Sequence, residues 1–462
     1  MHRLSISARY PRINPRPQII VVMTVLILAV STGLHSGWPT PALPKLFKND
    51  LNFKISNDQI SYMVMIYPLA YIIADPLSVL VLDKAGRKSF IMILAALQII
   101  AWSTIANANG VWMLYGGRFM AGVSEGAVYI SMPIYICEIV DPHIRGISGM
   151  SYTTAFVFGV FLINCYGSFL TLQMSAYISI YVPLLFLITF FRMPESPHYL
   201  LMKGSREKAR SALMILQDTD DVDDELNKLS LVIQRQTSEP NSVKQLFAVK
   251  SNLKGFFILI GLRTLQQLSG GWAVVYYNQI IFQVANGSIS YKISSLVFDA
   301  TILLFSFSGV LLIDKFGRRN LLLVSTAVTL ICLILQAAYF TYQHYKYDMS
   351  NWRWFPLTGM VMYTAARGFG LMAIPSLMTG ELFPANVKVK AVGMANIYTA
   401  LCIGGTSKLF QFLEETYGMH VPFLVFVVCT IFGICFVYFC VPETKGKTLE
   451  EIQERLRGHV QM

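Results

Sequence analysis

Ile313-Asp314-Lys315-Phe316-Gly317-Arg318-Arg319 joins two long apolar runs, and a near copy, Leu82-Asp83-Lys84-Ala85-Gly86-Arg87-Lys88, joins two earlier ones. The shared pattern, D-K-x-G-R followed by a base, reads as a tight turn at a membrane surface. Its glycine lets the backbone reverse sharply between two helices. The aspartate falls where the preceding helix ends, and the basic residues either stay in water or pair with it. Two copies in matching places read as a duplicated membrane bundle.

Composition agrees. Of 462 residues, 54% are hydrophobic and only 14% charged, against about 25% charged in an average soluble domain. The net charge of +11 does not indicate nucleic acid, because the cations lie in short segments between apolar runs and form no single basic face. The seven cysteines (Cys137, Cys165, Cys332, Cys402, Cys429, Cys435, Cys440) fall in or beside apolar runs, with no C-x-x-C pair. Neither a disulfide framework nor a metal site is indicated. No nucleophile–base set or phosphate loop stands out, so no enzyme and no cofactor is expected.

Hydropathy predicts about twelve spans near the ~20 residues a bilayer requires: 19–37, 59–82, 89–108, 111–135, 147–166 and 172–191, then 256–283, 293–313, 320–340, 356–380, 391–412 and 421–441. The expected organisation is a cytoplasmic tail (1–18), a six-helix bundle (19–192), a cytoplasmic linker with short helices (193–255), a second six-helix bundle (256–441) and a cytoplasmic tail (442–462). The N-terminal stretch is basic and has no small-residue cleavage site before the first span, so it reads as a tail and not a signal peptide. If the spans alternate, most Lys and Arg fall on one side, which predicts both termini in the cytoplasm. The sequon Asn286-Gly287-Ser288 then falls outside, as a candidate glycosylation site.

The repeat runs deeper than one turn. Arg145 follows Glu138 by seven residues at the end of span 4, and Lys388 follows Glu381 by seven at the end of span 10. Span 6 ends in Pro194-Glu195-Ser196-Pro197 and span 12 in Pro442-Glu443-Thr444-Lys445. An even number of spans per repeat keeps both halves pointing the same way, so they are related by an axis along the membrane normal, with a solute path between them.

The motifs D-K-A-G-R-K, G-G-R-F-M-A-G, P-I-Y-I-C-E, P-E-S-P, Q-Q-L-S-G, D-K-F-G-R-R, G-E-L-F-P and P-E-T-K-G-K-T-L-E-E-I resemble the sugar porters of the major facilitator superfamily, over nearly the whole chain. The turn from Gly37 to Leu46 is similar to that of insect facilitated trehalose transporters. The resemblance implies an all-α membrane protein, with twelve transmembrane helices in two pseudo-symmetric halves. It also implies alternating access, a small-molecule sugar solute in the lipid bilayer, and no nucleic-acid partner; a monomer at the plasma membrane is expected. It further implies two gating ion-pair networks that close the cytoplasmic side and break when it opens: Asp83, Arg87, Glu138 and Arg145 in one half, and Asp314, Arg318, Glu381 and Lys388 in the other. Topology signals and turn chemistry alone would be the simpler role for these charges.

Gln266, Gln267 and Asn396 match family sugar-contact positions, with helix–helix hydrogen bonding as the alternative. Several hexose contacts are replaced: Trp272 stands for an asparagine, Thr153 for a glutamine, Ser376 for a tryptophan and Ile302 for an asparagine. Either the solute is different or larger, or transport has been lost. Trp272 would stack on a sugar ring or pack against lipid. Proton-driven members carry an aspartate where this chain has His35, which favours facilitated diffusion of trehalose or a hexose. A proton symporter using His35 or Glu125 and a non-transporting sensor are the alternatives. Asp75, Glu125, Asp299 and Arg367 sit at membrane depth, where ionisable groups serve a function and find partners. Arg367 is expected to pair with Asp299, to face the cavity, or to snorkel; Glu125 is expected to be neutral or to pair with Arg118.

Overall fold

Apolar runs that cross a bilayer must satisfy every backbone N–H and C=O internally, and helices do so. The computed structural model describes residues 16–48, 53–238, 244–383, 385–447 and 449–457. The first half comprises α1 (Arg16–Gly37), α2 (Pro39–Phe47), α3 (Asn57–Leu69), α4 (Tyr71–Ala85), α5 (Arg87–Ala106), α6 (Val111–Ile139), α7 (Pro142–Gly167) and α8 (Leu172–Phe190). Four short helices form the connection: α9 (Pro197–Met202), α10 (Arg206–Gln217), α11 (Asp223–Ser238) and α12 (Lys244–Ala248). The second half holds α13 (Lys250–Leu268), α14 (Gly271–Ala285), α15 (Tyr291–Phe316), α16 (Arg318–His344), α17 (Phe355–Phe369), α18 (Ile374–Leu382), α19 (Ala385–Tyr417) and α20 (His420–Cys440), and α21 (Leu449–Arg457) closes the described chain.

Each expected span is helical, but three are broken pairs: α3/α4, α13/α14 and α17/α18. Prolines explain two of the breaks, because the ring removes a donor and crowds the preceding turn. Pro68 precedes the α3/α4 break, and Pro375 opens α18. The α13/α14 break passes through Gly270 at φ +97°, a conformation glycine adopts without strain.

Helices in lipid associate through close packing of small residues. A Cβ on Gly33 of α1 would stand 2.0 Å from the Phe156 carbonyl of α7, and one on Gly159 of α7 would stand 2.2 Å from the Val30 carbonyl. Contact this close holds only with glycine on both helices.

At the face where α1 begins and α20 ends, here the near face, the sequence repeat becomes a repeat of contacts. Gly86 (φ +93°) and Gly317 (φ +83°) form the two turns. Glu195 accepts from the Lys88 N–H at 3.0 Å, while Glu443 accepts from those of Arg318 and Arg319 at 3.0 Å each. Each carboxylate thereby caps a helix start, where N–H groups are unpaired and the helix dipole is positive. A Cβ on Gly86 would lie 2.5 Å from Glu195 Oε2, and one on Gly317 would lie 2.8 Å from Glu443 Oε2. Arg87 Nε reaches Glu138 Oε2 at 3.0 Å, with Asp83 at 3.1 Å from its Nη1. Arg318 Nη2 reaches Glu381 Oε1 at 3.0 Å. Ser196 Oγ donates to Glu138, and Thr444 Oγ1 to Glu381. All of these contacts close within one half.

Two bases stand outside the sets in which they were expected. Arg145 Nη2 donates to the Val140 carbonyl at 3.4 Å, because α7 starts after Asp141 and carries Arg145 past Glu138. Lys388 lies over Gly380, where an added Cβ would meet its Nζ at 3.4 Å. The Asp314 side chain lies outside the described residues.

Candidate functional site

At the opposite, far face the halves are joined. Lys408 Nζ of α19 reaches Asp58 Oδ1 of α3 at 2.7 Å and Ser61 Oγ at 2.6 Å. Gln411 donates to the Asn57 carbonyl at 2.9 Å, and Thr40 to that of Val275 at 2.8 Å. Deeper, Asn164 of α7 donates to Asp299 Oδ2 of α15 at 2.6 Å and to Ser295 Oγ at 2.5 Å. Asn278 of α14 donates to the other Asp299 oxygen at 3.1 Å, and Gln279 donates to Asn164 Oδ1 at 2.6 Å and Ser168 Oγ at 2.7 Å. All six residues are buried, so this is a fully desolvated polar clamp between the halves.

Beneath the clamp, between the halves, lies a cavity of about 480 Å³. Gln266, Gln267, Trp272, Asn396, Thr153, Ser376 and Arg367, the seven residues singled out for solute contact, all line it, as does Ile302. Helix breaks bring several of them there. Gln266 and Gln267 end α13, Trp272 begins α14, and Ser376 begins α18. Irregular backbone at membrane depth is tolerated where protein or a cavity surrounds it. Trp272 meets Phe156 of the other half edge to face at 6.0 Å and tilts against Tyr276 at 5.5 Å, so it faces the cavity and not lipid.

Arg367 does not pair with Asp299. Its Nη1 donates to the Ser269 carbonyl (3.0 Å), Ser269 Oγ (2.7 Å) and Tyr363 Oη (3.0 Å), and its Nη2 to the Gln266 carbonyl (3.0 Å). The guanidinium thus serves carbonyls freed by the α13/α14 break, alongside Tyr363 Oη, which also donates to the Ser269 carbonyl at 2.8 Å. Asp299 is held by the two asparagines instead. Gln266 is oriented from both ends of its amide: Oε1 accepts from Arg263 Nη1 at 3.1 Å, and Nε2 donates to the Met372 carbonyl at 3.1 Å. Gln267 Oε1 accepts from the Trp272 N–H at 3.4 Å.

Arg118 does not pair with Glu125. It donates to the His35 carbonyl at 2.7 Å and lies over the Tyr67 and Trp38 rings at 3.9 and 5.4 Å from their centroids. The His35 ring stacks on Trp102 at 3.9 Å, inside the first bundle and outside the cavity lining. Asn286 is exposed at the end of α14, in a left-handed conformation. The clamp residues Asn164, Asn278 and Gln279 went unmarked in the sequence, although amides inside apolar runs were the available signal.

Residues 27–456 match the family described as "Sugar (and other) transporter". The chain belongs to the sugar transporter family. The family is one of transporters, not enzymes. Among relatives, the facilitated trehalose transporter Tret1 of Drosophila erecta is 33% identical over 448 residues, 96% of this chain and 52% of the relative. Tret1 of Polypedilum vanderplanki is 32% identical over 458 residues, 97% of this chain and 90% of the relative. The chain spans about half the length of several such relatives, 52% and 48% for those of D. erecta and D. grimshawi. The fold is that of the inward-open xylose transporter XylE of E. coli, with TM-score 0.76 at 20% identity over 95% of this chain and 98% of that one. The partially occluded inward-open form gives TM-score 0.77 at 19% identity, over 94% of this chain and 100% of that one.

Proposed function

We propose that this chain carries a neutral sugar, trehalose or a hexose, down its gradient across the plasma membrane by alternating access. The observation that carries the reading is the cavity between the halves, whose lining offers amides, hydroxyls and an indole face. A sugar hydroxyl leaving water must find a replacement partner. Gln266, Gln267, Asn396, Thr153 and Ser376 supply partners, while Trp272 offers a ring to stack on. Arg367 supports the site by holding the α13/α14 break that presents both glutamines.

The basic residues of the near face support a cytoplasmic position for it, with both termini on that side and Asn286 outside, available for glycosylation. The clamp then closes the outer side, and the solute path leads inward. The near-face ion pairs keep each half rigid while the halves rock as a monomer. Facilitated diffusion is favoured over proton coupling because His35 is stacked on Trp102 and held away from the solute path. The test is uptake of labelled trehalose, glucose and fructose by proteoliposomes at two pH values. Saturable uptake that equilibrates without accumulating is expected. Accumulation driven by an inward proton gradient would replace this mechanism, and binding without flux would make the protein a sensor.

A further inference from the structure

The two walls of the cavity differ in chemistry. From the second half, Arg263, Gln266, Gln267 and Arg367 face it, with Asp299, whose oxygens Asn164 and Asn278 already serve; from the first half, Asp75 and Glu125 do. Both carboxylates are more than nine-tenths buried, 3% and 6% exposed. Asp75 Oδ2 and Glu125 Oε2 each have no hydrogen-bond partner among the described residues. Gly126 lets α4 approach α6 closely. A Cβ there would meet Ala74 Cβ at 2.9 Å and Asp75 Oδ1 at 3.3 Å, so its absence lets α4 close on α6 and sets Asp75 beside the backbone that carries Glu125.

We propose that Asp75 and Glu125 form a hydrogen-bond acceptor wall for the second ring of a disaccharide, whose first ring is held by the amides of the opposite half. This rests on the sugar-transport reading above. A buried carboxyl without a partner is costly, so a partner that arrives with the solute accounts for two such groups lining one cavity. Each carboxyl offers an acceptor oxygen, whereas guanidinium groups only donate. A polyol matches both walls, because each hydroxyl donates its proton and accepts through its lone pairs. A cationic solute would suit the acids but would face Arg263 and Arg367 across the cavity. The volume of about 480 Å³ lies within the ~300–1,000 Å³ of sites that take drug-sized ligands, suited to two rings more than one.

The experiment compares trehalose and glucose, using the full chain in proteoliposomes for KM and in detergent for Kd by calorimetry. Glu125→Ala and Asp75→Ala are each expected to raise the trehalose KM up to about tenfold more than the glucose KM, the loss of one hydrogen bond. Glu125→Gln keeps one acceptor oxygen and is expected to shift the ratio by only about threefold. Equal losses for both sugars, or no loss for either, would overturn the acceptor wall, as would tighter binding of glucosamine than of glucose. If the wild-type chain binds sugars but moves none, the transport reading fails, while the Kd ratio still decides the wall. If it binds neither sugar, both fail.

Discussion

The near and far faces are built on different plans. At the near face the central ion pair is written twice, Arg87 with Glu138 and Arg318 with Glu381, backed by Glu195 and Glu443 capping equivalent helices. These contacts stay within a half. At the far face the contacts that join the halves occur once: Asn164 with Asp299, and Lys408 with Asp58. An internal repeat preserves what each half needs in order to fold. A contact between halves sets the fifth span of one against the second span of the other, and the residues that meet differ at the two places, so no repeated motif announces them. Stability and conformational choice therefore fall on different residues.

The sharpest way to break that division is Arg87→Ala. Arg87 and Glu138 side chains are 5% and 11% exposed, and stranding a buried carboxylate costs about 3–5 kcal/mol. Thermal unfolding in detergent should show the loss, while spin-label distances across the far face stay unchanged. A far face that opened in this variant would merge the two plans. Next comes Asn164→Ala, which removes both donors that Asn164 offers to Asp299 and Ser295. It should weaken far-face closure by about 1–3 kcal/mol, seen as a second, longer population of far-face distances with little change in melting temperature.

The third prediction concerns pH. Burial opposes ionisation of Glu443, yet backbone N–H groups of Lys445, Arg318, Arg319 and Thr444 outweigh it and hold the carboxylate below its ordinary range. A carboxylate depressed in the folded state stabilises fully above its unfolded value of about 4.3 and loses that contribution as pH falls through the folded value. Melting temperature should therefore drop more steeply with acid in the parent than in Glu443→Gln, whose curve starts lower. Parallel curves would remove Glu443 from the near-face plan. The smallest effect is expected from Lys408→Ala. Asp58 is 77% exposed, so this pair contributes only about 0–1 kcal/mol, readable as a slight gain in far-face opening that high salt reproduces in the parent.

Much of this protein was legible in its residue order. Helical spans follow from apolar runs that have no other way to satisfy their backbone in lipid. The doubling follows from D-K-x-G-R and P-E-[ST] recurring at matching places, since each motif works inside one local cluster. The seven solute-contact candidates share one cavity because they sit on four spans at similar depth. Only the tertiary structure decided the partners of the charges at membrane depth. Arg367 lies on the same half as Asp299, yet it turns to carbonyls freed at Ser269 and Gln266, a break that exists only because Gly270 adopts φ +97°. Asp299 finds Asn164 across the cleft, 135 residues earlier, and Asp75 comes against the α6 backbone through the glycine gap at Gly126. Periodicity reports the face and depth of a side chain on its own helix. Which neighbour meets that face is set by how closely two backbones approach, and that is a property of the packed pair.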